Sequence, residues 1–346
     1  MALSLIRRAA TAPAVVAVLS VVCFALLDAA PGDPAASVLE ARNGGRPPAA
    51  EDVARLRAEM GLDEPLPVRY ARWVSAAVRG DLGTSYLTGR PVTETLAATA
   101  PWTALLTAAA TLLSAAGAVA VGLVAALTRR AWLRRAIDGA MFVLGGLPGF
   151  VAALLLLYVF TAATGLLPSG GVSRPGEPVT PYALLTHLVL PATALAFGHH
   201  FGIYVRLVES GVGRLRDAPH VDNARARGLP RRVVTTRHLM RPGLVPFTAR
   251  LGVSVGTLLT GAYTTEVVFS WPGMGRQAID AARGQDYPVL VAIVLVTGLV
   301  VVAANLAAEL VVAALDPRIR RRAPGRPSMP SDPHPVRADG TAAHAG

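Results

Sequence analysis

The chain has 346 residues, of which 53% are hydrophobic and only 16% charged, against roughly 25% charged in an ordinary soluble domain. Its net charge is +11 with every basic residue an arginine, but the arginines stand mostly between long apolar blocks, which fits membrane topology and argues against nucleic acid as a partner. The single cysteine, Cys23, excludes an internal disulfide and a cysteine-rich metal site, and suits a small buried apolar position.

The first apolar block, 9–27, follows Arg7 and Arg8 and predicts a first membrane-spanning helix after a short N-terminus, 1–8. A cleaved signal peptide is the alternative, because Ala29 and Ala30 follow the block. Its apolar run is longer than a signal peptide needs, and five more apolar blocks lie downstream. Residues 28–100 are polar and proline-rich, with a helix-like run at Glu51–Met60, and are too short for a large independent domain.

Five further spans are predicted within 101–315, at about Trp102–Leu127, Ile137–Thr164, Ala183–Leu207 (interrupted by Pro191), Leu244–Phe269 and Val289–Leu315. Each reaches the roughly 20 apolar residues that cross a bilayer. The tail, 316–346, is rich in Pro, Arg and Ala and is expected to be disordered. The fold class is therefore all-α: an integral membrane protein of six transmembrane helices, with an extracytoplasmic segment between the first two.

Arginine sets the orientation. The loop after the second span carries Arg129, Arg130, Arg134 and Arg135, and the loop after the fourth carries a longer series from Arg214 to Arg241. The tail adds Arg318, Arg320, Arg321 and Arg322, whereas the alternate loops hold few. Both termini and the two rich loops then face the cytoplasm. The arginines of 28–100 are balanced by acids such as Asp33, Glu51, Asp63 and Glu64, so this long segment faces outward.

The loop at 208–243 carries a helix signature. Pro219 suits a first turn, Asp217 is placed to cap it, Gly228 suits a left-handed exit and Pro230 stops continuation. The product is a short helix whose small residues, Ala224 and Ala226, would let another protein approach. The plainer alternative is a basic loop that only sets topology.

Asp222-Asn223-Ala224, three residues and then Gly228 resemble the EAA loop of ABC importer permeases. The surroundings resemble the dipeptide/oligopeptide (and nickel) permease family: Tyr204-Val205-Arg206-Leu207, Glu266 to Gly275, Asp286-Tyr287-Pro288, Asn305-Leu306 and Asp316-Pro317-Arg318. Gly61-Leu62-Asp63, Gly80 to Ser85 and Pro91-Val92 continue the series in the outer segment, so the resemblance runs in order along nearly the whole chain. It departs at Pro219-His220, at Asn223 where the family commonly has Thr, and at Leu239 to Gly243.

The resemblance implies a permease subunit in the bacterial cytoplasmic membrane, moving peptides or similar small solutes by alternating access. It implies a second homologous permease in a heterodimer, two cytoplasmic ATPase subunits and an extracytoplasmic solute-binding protein. Carried over residue by residue, Asp222, Asn223, Ala224 and Gly228 are coupling positions to the ATPase, flanked by Arg225 and Arg227. The chain itself has no lysine and hence no phosphate-binding Gly-x-x-x-x-Gly-Lys-Ser/Thr loop, so ATP hydrolysis is expected in other chains.

Polar groups inside the spans are candidates for the path or its gate. Glu266 near the outer end of the fifth span would be a gate, a binding-protein contact, or a carboxylate held at the water boundary. Asn305 would line the path or bond a neighbouring helix. His199 and His200 are adjacent and point to different helix faces, so one metal ion does not suit both; a pore-lining or interhelical role is expected. Trp271 and Tyr287 fit an outer aromatic belt, and Gly252 with Gly256 suits close helix packing. No metal and no cofactor are called for. The rivals are an ion-coupled secondary transporter and a membrane-embedded enzyme; neither a convincing internal repeat nor a Gly-x-Ser-x-Gly or His-Glu-x-x-His motif supports them.

Overall fold

The computed structural model describes residues 11–198 and 200–315. The expected N-terminus at 1–8 and tail at 316–346 lie outside the described residues, as does His199. Helix α1, Thr11–Asp28, is apolar along its length and lies against the last helix. Three short helices follow in the segment between the first two expected spans: α2, Pro34–Arg42; α3, Ala50–Glu59; and α4, Leu66–Ala77. Asp33 caps α2 by accepting a hydrogen bond from the backbone N–H of Ala35 at 3.0 Å. The balance of arginines and acids becomes pairing here. Arg57 bridges Asp33 and Asp63, Arg69 meets Asp28, and Arg72 meets Glu64.

Helix α5, Val92–Leu127, begins ten residues before the expected span. Its buried face is small: Thr103, Thr107, Ala110, Ser114, Ala118, Gly122 and Ala125 recur at helical spacing. In an apolar solvent helices associate by close packing rather than by expelling water, and small side chains permit it. At Gly122 a β-carbon would collide with Val208 of α9, Phe201–Leu215.

The third expected span is not one helix. It forms α6, Ala131–Gly146, and α7, Gly149–Ala163 (its last turn a π turn), with a bend of 102° between them. The cause is Pro148. The residue before a proline is pushed out of helical geometry, and Leu147 is extended at φ −85°, ψ 123°. The fourth span is also corrected. Pro191 lies inside α8, Pro181–Phe197, without ending it, and the break to α9 falls at Gly198, whose backbone is extended. A buried proline is tolerated in a spanning helix when its neighbours shelter the freed backbone group.

The basic loop continues as α10, Pro219–Ala226, and the helical segment α11, Arg231–Gly243, which meets α12, Val245–Val268, at 49°. Helix α13, Met274–Arg283, and helix α14, Tyr287–Leu315, complete the order. The α5 helix and the Tyr287–Ala307 stretch of α14 are each long and apolar enough to cross a membrane alone. The pairs α6–α7, α8–α9 and α11–α12 qualify only when each bent pair is taken as one span. Gly256 of α12 abuts Val301 of α14, so one member of the glycine pair serves packing within the chain.

One buried polar knot fixes the turn from α12 to α13. Glu266 is fully enclosed, and its Oε1 accepts a hydrogen bond from Thr103 Oγ1 of α5 at 2.6 Å. Its Oε2 accepts from the backbone N–H groups of Gly275 and Arg276 in the first turn of α13, at 2.6 and 3.3 Å. Thr103 Oγ1 accepts from the N–H of Met274 in turn, at 2.8 Å. The Trp271 indole N–H donates to the carbonyl of Trp102 at 3.0 Å. Glu266 thus satisfies helix-start donors that would otherwise be orphaned. Glu266→Ala is expected to strand several buried donors and to lower stability in detergent by about 2–4 kcal/mol, and Thr103→Val by about 1–3 kcal/mol. Thermal unfolding of the purified variants checks both, and an unchanged midpoint for Glu266→Ala would contradict the knot.

Candidate functional site

Helix α10 carries four of the six expected coupling positions, Asp222, Asn223, Ala224 and Arg225, and Arg227 and Gly228 follow it directly. Pro219 occupies its first position, as expected. Asp217 does not cap it: the N-cap is Ala218, in extended geometry at ψ 141°, with no side-chain cap bond. The chain enters one residue later than the capping reading required. Asp222 in the first turn complements the helix dipole instead and pairs with Arg225 at 2.8 Å. The exit is a Schellman turn. The N–H of Leu229 donates to the carbonyl of Ala224 and that of Gly228 to the carbonyl of Arg225, with Gly228 left-handed at φ +76°.

The helix has one buried edge and one free face. Val221 and Ala224 are 0% and 4% exposed, in one apolar cluster with Val208 and Val212 of α9, Val234 and Leu239 of α11, and Phe247 of α12. Ala224 therefore faces inward. Its small side chain lets α10 sit close on its own bundle rather than letting a partner approach. Asp222, Asn223, Arg225, Ala226, Arg227 and Gly228 are all exposed on the other side.

Where α9 meets α11 the backbones touch: a β-carbon on Gly211 would run into the carbonyl of Gly243. Beside this contact a cleft of about 760 Å³ is edged by Arg206, Arg214, Arg216 and Asp217. Arg134 of α6 and Glu209 of α9 close one side with an ion pair at 2.8 Å.

Deeper in the bundle the breaks after Leu147 and at Gly198 come together. They edge a cavity of about 270 Å³ lined by Gly149, Phe150, Gly198, His200, Thr257 and Thr264. The His200 ring lies parallel to Tyr204, with centroids 6.1 Å apart. Along α12, Val253, Thr257, Thr260, Thr264 and Val267 are exposed at successive turns, a hydroxyl-bearing stripe facing away from the chain's core. Thr257 and Thr260 donate to the carbonyls of Ser254 and Gly256, leaving hydroxyl lone pairs free to accept.

Of the expected path residues that the structure describes, Glu266, Asn305 and His200, His200 alone lines this cavity. Glu266 sits in the knot away from it and is not at a water boundary. Asn305 is half-buried in α14, and its Oδ1 is enclosed without a hydrogen-bond partner among the described residues. Trp271 is fully buried and Tyr287 half-buried. The threonine stripe was missed, although its spacing of three and four residues within an apolar span was open to view. Thr103 carried no comparable signal.

Residues 118–321 match the model of the family described as binding-protein-dependent transport system inner membrane component, and residues 1–107 match its N-terminal companion. A putative peptide permease protein of Brucella suis biovar 1 is 34% identical over 303 residues, covering 87% of this chain and 94% of the relative. The oligopeptide transport system permease protein AppB of Bacillus subtilis is 29% identical over 92% of this chain and 99% of its own length. Among solved structures, a chain of the MetNI methionine ABC transporter, in an inward-facing crystal form, aligns with a TM-score of 0.53 at 14% identity. That alignment covers 65% of this chain and 97% of the other and shows a shared fold. The chain belongs to the family of binding-protein-dependent transport system inner membrane components.

Proposed function

We propose that this chain is the peptide-importing permease subunit of an ATP-driven transporter, with α10 as the helix that ATPase subunits push. The single observation that carries this reading is the division of α10 into a rooted edge, Val221 and Ala224, and an exposed face bearing Asp222, Asn223, Arg225 and Arg227. A helix of eight residues is unstable alone in water. Rooted in the core and stopped by Gly228, it becomes a stiff projection that a second protein can grip.

Six spans follow when α1 is added to the two straight helices and three bent pairs. With the arginine-rich loops inside, both termini are cytoplasmic and α2–α4 face the external binding protein. A homologous second permease would meet the threonine stripe of α12 across the path. The peptide assignment rests on the relatives named as peptide permeases. Hydroxyl acceptors at Thr257, Thr260 and Thr264 suit the N–H donors of a peptide, whatever its side chains. ATP is hydrolysed by the partner ATPases, two per transporter. The switch between faces is a rigid-body change favoured by nucleotide and by the loaded binding protein.

Arg225→Glu combined with Asn223→Trp is expected to cut ATP-driven peptide uptake about tenfold or more, the effect of losing about 1.4 kcal/mol of docking. Membrane insertion and thermal midpoint should stay at wild type, because both side chains are exposed. Uptake by reconstituted complexes and co-purification of the ATPase measure this, and undiminished uptake would count against the coupling role. Ala224→Leu should behave differently, lowering stability by about 1–3 kcal/mol through overpacking.

The paired change Thr257→Val and Thr264→Val keeps shape and removes the acceptors. Uptake should slow several-fold with assembly intact; unaltered rates would remove the stripe from the path.

A further inference from the structure

The free face of α10 does not end at Gly228. From Asn223 to Thr265 the chain holds seven arginines and no acidic residue. Four of the seven, Arg231, Arg232, Arg237 and Arg241, stand on α11, and all four are exposed. Val234 and Leu239 of the same helix are buried in the cluster that seats Val221 and Ala224. The two helices are rooted together, and their exposed sides form one basic strip.

The carboxylates nearest along the chain are engaged elsewhere. Asp222 pairs with Arg225, Glu209 pairs with Arg134, and Asp217 stands in the cleft beside Arg206, Arg214 and Arg216. Among the described residues, none of the four α11 arginines has an ion-pair partner. An uncompensated strip of this kind attracts an anionic surface and speeds its docking.

Two anionic surfaces lie within reach of a cytoplasmic strip, the inner leaflet and an acidic protein, and geometry separates them. Helix α12 has 24 residues, roughly 36 Å of helix against a hydrocarbon core of roughly 30 Å. Arg250 lies in its second turn, so the first turns stand below the hydrocarbon. Helix α11 adds roughly 18 Å, and the 49° bend leaves roughly 12 Å of that along the α12 axis. Arg231 and Arg232, at the far end of α11, are therefore more than a Debye length (roughly 8 Å at physiological salt) beyond the start of α12. The leaflet is screened from them; a protein below it is not.

We infer that the exposed side of α11 is a second contact for the ATPase subunit that grips α10, and that this subunit presents a carboxylate-bearing surface to Arg231, Arg232 and Arg237. The inference rests on the coupling role proposed for α10. The strip draws the ATPase in, and α10 takes its thrust.

The test uses the permease complex in phosphatidylcholine nanodiscs, titrated with purified ATPase subunits of the same transporter at low and at high salt. Arg231→Gln, Arg232→Gln and Arg237→Gln together are expected to weaken ATPase association at low salt about tenfold, chiefly in the association rate, and to flatten its salt dependence. The corresponding triple change to Lys keeps the charge and should restore both. Thermal midpoints should stay at wild type, because all three side chains are exposed. Arg231→Gln alone should slow association about twofold to threefold. Unchanged affinity and salt slope in the Gln variants overturn the inference. So does normal ATPase binding by the triple Gln variant with a loss of binding to phosphatidylglycerol vesicles, which would assign the strip to the membrane. The Asn223→Trp, Arg225→Glu variant keeps the two readings apart. ATPase association lost there but intact in the triple Gln variant leaves the coupling role of α10 standing and refutes the α11 contact; association intact in both refutes both.

Discussion

The seating of Val221 and Ala224 against α9, α11 and α12 is the contact on which the α10 end of this molecule depends. Without it, eight residues with a proline at one end and a left-handed glycine at the other would have no reason to hold one orientation. With it, the same eight residues present a fixed row of polar and charged side chains. Small size at 224 matters for approach to the chain's own bundle. The Asp222–Arg225 pair on the free face is exposed and contributes little stability; under the proposed coupling it is available for exchange with a partner's charges.

The bends within the bundle follow from a second constraint. In hydrocarbon every backbone polar group must be paired, so irregular backbone survives only where protein or a cavity shelters it. Leu147 before Pro148, and Gly198 before α9, are two such places, and both lie next to the same cavity. The hydroxyls of α12 border it. The polarity of this part of the bundle therefore comes from hydroxyl oxygens and interrupted helices rather than from carboxylates, and the Glu266 side chain is engaged in the turn to α13.

Much of this was legible beforehand, and the exceptions have physical causes. The apolar blocks and the Pro219-to-Pro230 punctuation located α10, α12 and α14 to within a few residues, because turn chemistry and hydropathy are local. The Leu147-Pro148 break was equally local and was read over because the apolar run hid it. Pro191 misled for the opposite reason: a proline is a breaker in water, but a buried one is carried by its neighbours. Asp217 was one residue out of register with the real N-cap. The inward turn of Ala224 and the enclosure of Glu266 were not legible, since both depend on which elements meet. Thr103 lies 163 residues from Glu266, and no local pattern links them.

These long-range links also connect the two ends of α12. Phe247, at the start of α12, belongs to the cluster that holds α10, and Glu266, near the end of α12, holds α13. After α13, Asp286 accepts a hydrogen bond from Ser85 Oγ and another from the N–H of Tyr86 at 3.0 Å, and Gln285 donates to the carbonyl of Pro31 at 2.9 Å. A continuous run of packed or hydrogen-bonded elements thus joins α10 to the segment between α1 and α5. The backbone changes direction in this run at the 49° bend at the entry to α12 and at the left-handed residues Ser270 and Gln285 (φ 48° and 52°) that bracket α13. Non-glycine residues are seldom found there without close support, and the bonds of Glu266 and Asp286 lie beside them. Under the proposed coupling, a displacement of α10 would be carried by α12 and α13 together, because the Glu266 knot holds the turn between them.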